Sequence, residues 1–181
     1  MLSRYKGAKL ITVVIVSALF FVAAVYGAGG SFKVTADVVY GNTAKDRTRV
    51  MTVTAVADDS TATFPTLTIT PTAWSDTESN SGTLDWRLTG WSMYELYVDG
   101  NRTDATEPTE NSDLTIKQFS VDTLGGNGTD IVDNTAEGST YFMNDALPMP
   151  RPIAGNLVWE ISNNSSPSAS VEFRLFMVPT E

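Results

Sequence analysis

The chain has 181 residues, no cysteine and no histidine, and sets 12 Lys+Arg against 21 Asp+Glu for a formal net charge of −9. Without cysteine there is no disulfide framework or thiolate metal site, and without histidine there is no Ser-His-Asp triad or imidazole base. A pI near 4.4 opposes binding to phosphate backbones, so nucleic acid is not an expected partner. No constellation of catalytic groups is visible, and the chain reads as a non-enzyme.

Arg4, Lys6 and Lys9 crowd the start, and residues 10–25 follow without a charge. Residues 26–30, YGAGG, then supply small side chains. A basic start, an apolar run and a small-residue exit are the three parts of a secretory signal. Left uncleaved and counted through Ala28, the run is long enough to span a bilayer. Residues 1–28 are therefore expected to be a signal peptide or hydrophobic anchor helix, the sole contact with a membrane. The positive end stays inside, so the remainder is expected to be secreted, extracellular or at the cell surface. Tyr5-Lys6-Gly7-Ala8 also resembles the processing site of archaeal type IV pilins, in which the apolar helix is kept as the filament core. Lys9 would then sit in that core at substantial cost.

Removing residues 1–28 leaves nine cations against 21 carboxylates, net −12. Ser31–Tyr40 alternates, with Phe32, Val34, Ala36, Val38 and Tyr40 on one face and Lys33, Thr35 and Asp37 on the other. Further strands are expected over residues 50–57, 64–70, 83–89, 91–98, 114–121, 157–161 and 170–178. The last places Val171, Phe173, Leu175 and Met177 opposite Glu172 and Arg174. The chain holds 24 Thr, whose branched Cβ suits a pleated, half-wet surface. No amphipathic helix follows residue 30, so the expected fold is all-β, a jelly-roll-like β-sandwich. Residues 29–47 read as an N-terminal strand and hinge, and 48–181 as the sandwich domain. Residues 99–113 and 122–140 read as long polar loops, a class of segment that often carries function.

Residues 125–133, GGNGTDIVD, fit the calcium-binding nonapeptide pattern once, offering Asp130 and Asp133 as carboxylate ligands. That motif works in tandem arrays, so a Gly-rich hairpin loop is the competing reading. Asp58, Asp59, Asp76, Glu78 and Asp85 are further oxygen donors for a hard cation, or solvated turn residues. Calcium is the one cofactor the sequence suggests. Asn101, Asn127, Asn163 and Asn164 head N-x-[ST] sequons, all in expected loops and so candidates for glycosylation. Trp74, Trp86, Trp91 and Trp159 offer either a carbohydrate platform or core; Trp86 and Trp159 fall on inward strand faces.

Ala73-Trp74-Ser75-Asp76-Thr77-Glu78-Ser79, followed by Gly82-Thr83-Leu84-Asp85-Trp86, resembles the A-F-[FS]-D-x-E … G-T-L-D-L stretch of the TasA/camelysin family and related archaeal bundling pilins. In that family the stretch follows the signal peptide directly, whereas here about forty residues intervene, the strand Ser31–Tyr40 among them. Camelysin has been classed as a metalloprotease, and nothing in this histidine-free chain carries that activity over. The resemblance implies an exported, jelly-roll fibre subunit that assembles by donor-strand complementation. The residues make such assembly plausible in their own right, because a neighbour's extended segment fills both an open sheet edge and an apolar groove. Phe32, Val34, Ala36, Val38 and Tyr40 are the expected groove-filling side chains. The expected partner is a second copy, in a head-to-tail homopolymer, with neighbouring filaments beyond it. Two alternatives stand beside this: a pilin held by its N-terminal helix, and a secreted or anchored β-sandwich module binding glycan or protein through its long loops.

Overall fold

The computed structural model describes residues 29–41, 47–72, 78–79, 83–103, 105–135, 137–144 and 147–180. The expected N-terminal helix, Trp74 and Asp76 lie outside them, as does half of the family-like stretch. Among the described residues fourteen strands follow in chain order. They are β1 (Ser31–Tyr40), β2 (Thr48–Val56), β3 (Leu67–Thr70), β4 (Glu78–Ser79), β5 (Thr83–Asp85), β6 (Trp91–Asp99) and β7 (Asp113–Gln118). After them come β8 (Val121–Asp122), β9 (Glu137–Tyr141), β10 (Met143–Asn144), β11 (Leu147–Pro148), β12 (Arg151–Pro152), β13 (Leu157–Ser162) and β14 (Ser170–Pro179). Among the described residues there is no helix.

Two sheets share one core. The larger runs β12-β6-β14-β2-β1-β4, with β9 also on β6; the smaller runs β5-β3-β13-β7-β8. Pairing is antiparallel throughout except between β3 and β5. Period-two patterning explains the layering. In β2, Met51, Val53 and Ala55 are fully buried while Thr52 and Thr54 point away. In β14, Val171, Phe173, Leu175 and Met177 are buried, as their spacing predicts. Trp159 of the small sheet meets Phe173 of the large one edge-on, ring centroids 5.6 Å apart. Trp86 is also buried, so both inward-facing tryptophans belong to the core.

Several stretches differ from the sequence expectation. Residues 114–121, expected as one strand, turn at Phe119 and Ser120, both with positive φ, so that β7 and β8 pair as a hairpin. Residues 86–88 leave the strand path, and Trp86 and Leu88 donate backbone hydrogen bonds to the carbonyls of Thr70 and Pro71. The expected loop over 122–140 ends in β9, which pairs with β6 from Glu95↔Tyr141 to Asp99↔Glu137. Its sequence, EGSTY, lacks apolar alternation because it forms a polar margin of the sheet.

The registers define two ends. Tyr40↔Thr48, Arg49↔Met177 and Pro179↔Trp91 lie at one. Ser31↔Val56, Glu172↔Asp99 and Asp99↔Glu137 lie toward the other. The first is called the link end, because residues 41–47 join β1 to β2 there. The second is the loop end.

Candidate functional site

β1 enters the large sheet through a tight gap. A Cβ on Gly30 would come within 2.5 Å of the Pro65 side chain and 2.6 Å of the Val56 carbonyl, so only glycine fits. Phe32 and Val34 then turn inward opposite Ala55 and Val53 and are buried. Burial of two such side chains is worth about 1.5–3 kcal/mol each.

A register shift follows between Val34 and Ala36. Thr35 is the extra residue of a bulge, and with a side-chain period of two, one extra residue exchanges the faces. Ala36, Val38 and Tyr40 therefore lie on the outer face beside Thr52, Val50 and Thr48. This corrects the expectation that all five apolar residues share one face: Phe32 and Val34 fill the core, while Ala36, Val38 and Tyr40 are exposed.

The bulge brings Asp37 to the inner face instead. Arg49 donates to it twice, Nε to Oδ1 at 2.8 Å and Nη2 to Oδ2 at 2.6 Å. Arg49 Nη1 donates to the Arg87 carbonyl at 2.8 Å, and Trp86 Nε1 donates to Asp37 Oδ2 at 3.0 Å. The guanidinium also lies 5.6 Å from the Trp91 ring centre. One ion pair thus ties β1, β2 and the segment leading to β6. Sequence reasoning placed Asp37 on the wet face and missed this cluster; the available signal was an isolated carboxylate in an apolar strand followed by Arg49 on the next.

The outer edge of β1 is only partly covered. β4 pairs with Phe32 and Lys33 alone. From Val34 to Tyr40 the strand has no second neighbour among the described residues. Val38, Val39 and Tyr40 are 42%, 49% and 57% exposed. An apolar strand with an open edge is a template for pairing with another chain.

The loop end is polar. Asp58 accepts hydrogen bonds from the backbone and hydroxyls of Ser60 and Thr61. The Ser60 hydroxyl leads in holding this carboxyl far below the usual carboxylate range. In the Gly-rich loop, Asp122 accepts from the Leu124 and Gly126 amides, and the Gly128 carbonyl accepts from the Leu114 amide. Asp133 accepts from the amide and hydroxyl of Thr135, which lower its pKa. Asp130 and Asp133 line an open depression of about 360 Å³ together with Glu137 and Thr140. Among the described residues no group of three or more Asp or Glu is disposed to hold a metal ion.

All four sequon asparagines lie toward this end, and they differ in engagement. Asn127 is exposed. Asn101 Nδ2 donates to the Thr135 carbonyl at 3.3 Å, and Asn163 Nδ2 to Asp113 at 2.6 Å. Asn164 is partly buried, donating to the Ala62 and Ser166 carbonyls and accepting from the Thr109 amide.

Comparison of the chain with protein-family models, with curated proteins and with solved structures finds no match.

Proposed function

We propose that the chain is an exported structural subunit of an extracellular filament, polymerising when each copy gives β1 to the next. One observation carries this reading. β1 contributes Phe32 and Val34 to the core from the margin of the sheet, yet residues 41–47 alone join it to the strands that follow. The pairing that β1 makes with its own β2 is available without change to the β1 of a second copy. Such an exchange is heterologous, each copy giving one strand and taking another, so it extends instead of closing. The jelly-roll topology, the N-terminal signal or anchor, and delivery outside the cell belong to this same reading. No catalytic step is assigned to the chain.

Negative-stain microscopy of the mature chain, starting near Gly29, tests the polymer. Filaments are expected, and a chain lacking Ser31–Tyr40 should form none. Adding the ten-residue β1 peptide to the truncated chain should restore a folded monomer that cannot extend. Filaments from the truncated chain alone would falsify strand exchange.

A further inference from the structure

We infer that successive copies pack side by side with their link ends together, and not end to end along the strands. The inference rests on the strand-exchange reading above and adds the geometry of the junction. In the exchanged state Tyr40 of one copy's β1 pairs with Thr48 of the recipient, as it does within one chain. The donor's own Thr48 lies at its own link end. Eight Cα steps separate Tyr40 from Thr48, and an extended chain covers at most about 26–29 Å over them. The link ends of neighbours therefore lie no farther apart than that.

The subunit is longer than this reach. β1 and β14 each run ten residues, about 33 Å, before any loop is added. Copies stacked in one orientation along the strand axis would hold their link ends farther apart than the connection spans. Stacking with link ends face to face makes a closed pair instead of a filament. Lateral packing remains within reach, because the two sheets lie only about 10 Å apart.

The surface agrees with this choice of junction. Val39 and Tyr40 are exposed at the link end, and Phe119, 70% exposed, sits at the same end in the β7–β8 turn. The loop end carries instead the four sequons and exposed Asp59, Glu107, Glu110 and Asp130, groups that resist desolvation. Exposed Arg47 and Arg87 also lie at the link end, so their repulsion across the junction should make assembly faster in added salt.

The absence of cysteine makes the test direct. Single spin labels are placed at Arg47→Cys and, in a separate variant, at Thr89→Cys at the same end. Electron–electron dipolar spectroscopy on assembled filaments should give a nearest-neighbour distance within about 35 Å, the chain reach plus the label arms. Longer distances in both variants overturn side-by-side packing, while strand exchange stands if deletion of β1 still abolishes the filaments. A full-length mature chain that stays monomeric under all conditions overturns both.

Discussion

Asp37 and Arg49 form a two-point ion pair across β1 and β2, and it exists because a single extra residue, Thr35, turns Asp37 inward. The side chains are 21% and 11% exposed, so the pair is largely withdrawn from solvent. Removing one member of such a pair leaves the other charge uncompensated.

Asp37→Ala should therefore cost about 2–4 kcal/mol in urea unfolding, toward the lower part of the range for a fully buried pair. Replacing both residues together, Asp37→Leu with Arg49→Met, should be far milder, since no charge is then stranded. A single variant within about 0.5 kcal/mol of the parent would show that the pair does not hold the strand.

The same bulge marks how much of the fold could be read from the residues alone. β2, β13 and β14 follow their period-two patterns closely, because each buries one whole face against the opposite sheet. β1 presents an equally regular pattern from Phe32 to Tyr40, but its second half lies at a margin where the outer face can stay wet. Burial no longer dictates register there, and the bulge at Thr35 leaves Asp37 facing Arg49. β9 escaped notice for a related reason: its residues Glu137 to Tyr141 carry no apolar alternation, and only the free edge of β6 draws them into the sheet. The candidate strand was thus legible as a strand, while the direction of its distal side chains was not.

Gly128 is fixed by its approach to Leu114. A Cβ there would stand 1.8 Å from the Leu114 carbonyl oxygen, a clash with backbone that no rotamer relieves. Gly128→Ala should also break the hydrogen bond from the Leu114 amide to the Gly128 carbonyl, 2.8 Å long. A loss of at least about 2 kcal/mol is expected in thermal or urea unfolding. Gly126, with nothing within 4 Å but a φ of +86°, should lose less on the same change.

Asn127 and Asn164 should differ in modification if the chain is exported through a glycosylating pathway. Asn164 Nδ2 already donates to the Ala62 carbonyl at 2.6 Å and the Ser166 carbonyl at 3.0 Å, holding three loop segments together with the Thr109 contact. A glycan on that nitrogen would displace those bonds. Glycopeptide mass spectrometry of native material should find Asn127 occupied and Asn164 bare. Asn164→Ala should cost about 2 kcal/mol through its lost hydrogen bonds, and full occupancy of Asn164 would contradict the assignment.

Glu137 on β9 pairs with Asp99 and lies diagonally from Tyr97 on β6, and its carboxylate accepts a hydrogen bond from the Tyr97 phenol. That hydrogen bond, with lesser contributions from burial and the nearby carboxylates, pushes the Tyr97 pKa up to about 12 from 10.0. The folded value lies above the unfolded one, so the interaction's stabilising effect is whole below pH 10. It is lost as pH rises through the window from about 10 to 12. Ultraviolet tyrosinate titration, compared between the parent and Tyr97→Phe, should assign one of the six tyrosines to the late step. Glu137→Gln should move that step down toward the ordinary value, because the neutral amide no longer opposes a phenolate beside it. Arg174, whose guanidinium lies 5.1 Å from the Tyr97 ring centre, acts in the opposite sense. Arg174→Gln should therefore raise the Tyr97 step further. A late step that ignores both substitutions would place its cause elsewhere.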